Sequence, residues 1–66
     1  MFKILRIKAG FTQKTLAERL GVAQNLVSCW ETGKAMPRVL ILQDLAAVLD
    51  VSVDELINEL KAIKKD

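Results

Sequence analysis

Apolar residues in this chain recur three and four positions apart rather than alternating, which commits it to helices and not strands. Four residues punctuate that rhythm: Gly10, Gly21, Gly33 and Pro37. The first segment runs from about Phe2 to Ala9, with Phe2, Leu5 and Ala9 on one stripe, and Gly10 closes it. Thr12 offers a hydroxyl to cap a second helix, Gln13 to Leu20, whose inward residues are Leu16, Ala17 and Leu20. Gly21 is expected to end it in a left-handed conformation. A third helix spans about Gln24 to Glu31 with Val27 and Trp30 inward, and Gly33 is its stop. Pro37 suits the start of a fourth, which reaches about Leu49 and buries Leu42, Leu45, Ala46 and Leu49. Ser52 and Glu55 have capping-box spacing and open a fifth helix through Val53, Leu56, Ile57, Leu60 and Ile63. The expected fold class is all-α.

Sixty-six residues make room for one domain. A chain this short buries only ~60% of the surface that it exposes when unfolded. Hydrophobic residues are 52% of the sequence, enough for a packed core and too many for disorder. The single cysteine, Cys29, excludes an internal disulfide, and the absence of histidine removes the usual zinc-ligand patterns. No cofactor is expected. Without histidine or tyrosine, and with no phosphate-cradling glycine loop, nothing points to catalysis. No apolar run approaches the ~18 residues of a membrane span. The start, Met1 to Arg6, is too charged for a signal peptide, so a cytoplasmic location is expected.

Charge is distributed unevenly. Residues 1–38 carry seven basic and two acidic side chains, a balance of +5. The remainder carries three basic and six acidic ones, a balance of −3. A polyanion facing the first part would explain the asymmetry. The gap between the second and third helices, Gly21-Val22-Ala23, is three residues long and forces a steep crossing. Helix bundles of other purposes have equally short turns, so spacing leaves DNA binding and a plain bundle both open.

The stretch Phe11-Thr12-Gln13-Lys14-Thr15-Leu16-Ala17-Glu18-Arg19-Leu20-Gly21-Val22, followed by Val27 to Pro37, resembles the phage-repressor-like (Cro/cI, Xre-type) helix-turn-helix family. The segment Leu45 to Leu56 is similar to that family's closing part. The resemblance implies a compact five-helix lambda-repressor-like domain, with about 2–60 as core fold and 61–66 as a charged tail. It also implies sequence-specific binding of double-stranded DNA by a regulator, a repressor, with the helix at about 24–31 in the major groove of a palindromic operator. A groove about 12 Å wide admits one helix, and each base pair displays its own donor and acceptor pattern there.

With Val27 and Trp30 turned inward, the outward face of the third helix holds Gln24, Asn25, Ser28, Cys29 and Thr32. A side-chain amide both accepts from and donates to adenine, so Gln24 and Asn25 are the leading base-contact candidates. Ser28 and Cys29 are secondary ones. Gln13 matches a family position that holds phosphate and braces the recognition helix. Thr12, Thr32, Lys34 and Arg38 complete the expected phosphate set. Arg6 and Glu31 match positions that form a structural ion pair in the family, and Trp30 is expected in the core.

Departures from the family pattern are informative. Ala23 stands where a Ser or Thr usually caps the third helix, and Asp50 replaces a glycine after the fourth. The recognition face carries no Arg or Lys, which removes bidentate guanine contacts and favours an A·T-leaning site. Ile4, Ile7, Leu40 and Ile41 fall off the inward stripes, and the apolar stripe of the fifth helix runs on through Leu60 and Ile63. A homodimer through Val51, Val53, Leu56, Ile57, Leu60 and Ile63 is therefore expected. The competing reading is an antitoxin or other interaction module that covers a protein partner with the Ile4, Ile7, Leu40 and Ile41 surface.

Overall fold

The computed structural model describes residues 2–63, with Ile63 defined in its backbone only. Five helices follow one another: α1 (Phe2–Lys8), α2 (Gln13–Leu20), α3 (Gln24–Thr32), α4 (Val39–Leu49) and α5 (Val53–Ile63). The charged tail expected at 61–66 lies, from residue 64 on, outside the described residues.

Each helix begins and ends for a local reason. Thr12 caps α2, with its Oγ1 accepting from the backbone N–H of Thr15. In return, the N–H of Thr12 donates to Thr15 Oγ1 at 2.9 Å, which completes a reciprocal capping box. Gly21 then turns the chain at φ 73°, ψ 32°, a conformation that costs most L-residues ~1–2 kcal/mol. Its N–H and that of Val22 satisfy carbonyls at the end of α2. Ala23 precedes α3 with no side-chain cap, so the first amides of that helix are left open. Thr32 extends α3 one residue beyond expectation because its hydroxyl donates back to the Ser28 carbonyl at 3.1 Å.

Pro37 does not start α4 as expected. It is buried in the preceding turn, Arg38 is the N-cap residue, and the Arg38 carbonyl accepts the first helical bond from Leu42 at 2.8 Å. Asp50 closes α4 at φ 59°, ψ 45°, in the left-handed region otherwise occupied here by glycines. Ser52 opens α5 by accepting from the Glu55 N–H at 3.0 Å.

The core is built from Phe2, Leu16, Val27, Trp30, Leu45, Leu56 and Leu60, all under 2% exposed. Phe2 and Trp30 meet edge to face, with ring centroids 6.4 Å apart. Helix α5 packs against α1, α3 and α4 and so shuts the bundle. That takes up part of the dimer surface expected on α5. Leu56 and Leu60 are spent on the chain's own core, and Val51 and Ile57 are half-buried, Val51 against that core. Val53 is 37% exposed, and the side chain of Ile63 lies outside the described residues. The physical reason is size: so short a chain needs its last amphipathic stripe to complete one core.

Candidate nucleic-acid interface

Helices α2 and α3 are held in fixed relation by one carboxylate. Glu31, near the end of α3, accepts from Arg6 Nε through Oε2 at 2.5 Å. Its other oxygen, Oε1, accepts from Gln13 Nε2 at 2.9 Å. Arg6 also donates from Nη1 to the Phe11 carbonyl at 2.8 Å, which ties α1 to the turn before α2. The side chains of Arg6 and Glu31 are only 9% and 8% exposed. A buried charge of either sign would be costly alone, so the pair and its amide neighbour form one unit that joins three helices.

On that frame α3 presents its outer face. Val27 and Trp30 are buried at 0% and 1% exposure, which fixes the helix in roll. Gln24 and Asn25 are exposed in its first turn, beside the uncapped amides that follow Ala23. Ser28 and Cys29 are half-buried one turn further on, at the edge of that face. The 1% exposure of Trp30 removes it from any stacking role on a base.

The expected phosphate contacts separate into three groups. Gln13 and Lys34 remain open to solvent in part or in full. Gln13 is the first residue of α2, where its backbone N–H points outward and its amide keeps a second N–H beyond the one given to Glu31. Lys14 is exposed beside it, a cation outside the expected phosphate set. Thr12 and Thr32 are different, since both hydroxyls are engaged inside the protein. Thr12 Oγ1 lies 3.1 Å from Thr15 Oγ1 within the capping box, and Thr32 Oγ1 donates back into α3. Neither offers a free donor to an anion while those bonds hold. Arg38 is exposed but lines an apolar cleft between α3 and the start of α4 rather than the open end of α2.

Leu26 was not foreseen. It sits on α3 at 36% exposure and forms a wall of that same cleft. An apolar residue next to a helical stripe reads as an extension of the core, and its sequence gave no sign of a surface position.

Among the described residues no cluster of metal-ligating side chains occurs, and no helix is long and apolar enough to cross a membrane. Residues 2–56 match the helix-turn-helix family, and the chain belongs to that family in its Xre/Cro/cI-type branch. Among similar proteins is the HTH-type transcriptional activator BcrR of Enterococcus faecalis, 37% identical over 54 residues, which cover 82% of this chain and 26% of BcrR. The HTH-type transcriptional regulator SinR of Bacillus licheniformis is 40% identical over 58 residues, or 86% of this chain and 52% of SinR. An uncharacterized regulator of Bacillus subtilis, YazB, is 40% identical over 47 residues, covering 71% of this chain and 68% of YazB. The chain thus spans about a quarter of BcrR and about half of SinR. No solved structure matches it significantly.

Proposed function

We propose that this chain binds double-stranded DNA as a transcriptional regulator, with α3 in the major groove and Gln24 and Asn25 reading base edges. The observation that carries the reading is the position of those two amides. They are exposed on the first turn of a helix whose roll is fixed by Val27 and Trp30 and whose far end is locked by Arg6, Glu31 and Gln13. An amide held this way matches the paired donor and acceptor of adenine, so the preferred half-site is A·T-leaning. Ser28 and Cys29 border the same face as secondary contacts, Cys29 as a small apolar group against a thymine methyl.

Backbone positioning falls to the open end of α2, through Gln13 with Lys14 beside it, and to Lys34 after α3. Thr12 and Thr32 act through the helices that they hold in place. Two copies on a near-palindromic operator would set their recognition helices about 34–36 Å apart, one turn of the duplex. Occupancy of that kind acts as repression wherever the operator overlaps a promoter.

Binding-site selection from random duplexes at two salt concentrations tests the reading. Expected are A·T-leaning repeated half-sites and an affinity that falls steeply with salt, by about 0.9 in log–log slope per phosphate neutralised. Recovery of unenriched sequence at both salts would refute it.

A further inference from the structure

We propose that the cleft between α3 and the start of α4 binds a small apolar carboxylate. The cleft has a volume of about 310 Å³. Its walls are the apolar side chains of Val22, Leu26, Met36, Pro37 and Ile41, and Trp30 and Arg38 are its two polar members. Ligand pockets run from ~300 to ~1,000 Å³, so the occupant of this one is small. In such sites the apolar walls supply contact area, and a few polar groups set orientation and specificity.

The two polar members fix the chemistry of the ligand, because both are donors. Trp30 is 1% exposed, and its buried indole Nε1–H has no hydrogen-bond partner among the described residues. A buried donor without an acceptor is costly and uncommon. An indole nitrogen only donates, so an acceptor is the one kind of atom that satisfies it. Arg38 is exposed at the rim, with no ion-pair partner within the chain among the described residues. Its guanidinium also donates and never accepts. The remaining side chains of the lining are hydrocarbon, apart from the weakly accepting sulfur of Met36. Helix α4 starts at the same rim with no acidic residue in its first turn and no side-chain cap, so its positive end adds to the charge of Arg38. Donors, one full positive charge and apolar walls match an anion with oxygen acceptors and a hydrocarbon body. They reject a cation.

In the complex the carboxylate pairs with Arg38 at the rim, and the apolar body lies against Leu26, Met36 and Ile41 beside the Trp30 indole. Met36 is unbranched and 41% exposed, so it can yield and let a ligand oxygen approach the indole N–H. Arg38 then serves the cleft rather than phosphate. Trp30 also helps to fix the roll of α3, so a ligand seated against it bears on the helix proposed to read DNA. That consequence rests on the proposed DNA-binding reading; binding of the carboxylate itself does not.

Titration of the full chain with phenylacetate, without DNA and at constant ionic strength, tests the proposal, so that its failure is separate from any failure of DNA binding. Trp30 is the only tryptophan, so its indole N–H gives a single resonance in the NMR spectrum. That resonance should move saturably, with a Kd of about 0.1–1 mM for so small a ligand. Acetate, which lacks the apolar body, and phenethylamine, which reverses the charge, should each bind at least about tenfold more weakly. Arg38→Gln should lose about tenfold in affinity for phenylacetate, with an unchanged circular dichroism spectrum. No saturable movement of the Trp30 resonance up to about 10 mM phenylacetate would overturn the proposal. So would acetate or phenethylamine binding as well as phenylacetate, or an Arg38→Gln chain that binds as tightly as wild type.

Discussion

Helices α2 and α3 and helices α4 and α5 are held in place by different physics. The first pair is joined by directional contacts: the Glu31 carboxylate takes hydrogen bonds from both Arg6 and Gln13, and Gly21 and Gly33 set sharp left-handed turns. The second pair relies on apolar burial through Leu45, Leu49, Leu56 and Leu60, and joins through Asp50 where a glycine would be less strained. Burial is non-directional and fixes how close two helices lie, whereas hydrogen bonds also fix their orientation. Reading base edges requires orientation within small tolerances, and the polar brace sits under the helix proposed to read them. Closing a core requires only volume, and α4 and α5 supply it.

The largest effect expected from breaking this contrast comes from Glu31→Ala. It strands the Arg6 guanidinium and the Gln13 amide together, at a cost of about 3–5 kcal/mol, most of the stability of so small a domain. Denaturant titration measures it, and a loss below about 1 kcal/mol would mean that the apolar core alone orients α3. Smaller changes, in the opposite direction, should come from the two poorly made helix ends. Asp50→Gly relieves a left-handed aspartate for a gain of about 1 kcal/mol, or a rise of about 4–8 °C in Tm. Ala23→Ser supplies the missing cap of α3 for about 0.5–1 kcal/mol. Thermal unfolding of the two variants, singly and combined, should show additive gains, since the sites share no partners.

Helical periodicity and glycine punctuation made the five helices legible, with boundaries displaced mainly at Pro37, which sits before the cap rather than after it. The seating of Trp30 and Val27 was legible too, because a stripe three residues apart leaves few ways to bury them. What covers a stripe was not legible. The apolar residues of α5 share a face whether that face meets its own chain or another, and only the packing of α5 on α1, α3 and α4 shows that Leu56 and Leu60 are core. The engagement of Thr12 and Thr32 was hidden for a related reason. A hydroxyl serves equally well as cap, back-bond or anion ligand, and the choice depends on backbone neighbours. At Leu26 the period placed an apolar residue near the core edge, but the edge there opens into a cleft.

The decisive measurement compares wild type with the Gln24→Ala, Asn25→Ala double variant on a selected duplex and on a scrambled one, at equal salt. Each amide that reads a base should contribute about 1–3 kcal/mol of discrimination, so affinity for the selected duplex should fall at least tenfold while that for the scrambled duplex stays level. An equal fall on both, or none on either, would contradict base reading by the first turn of α3.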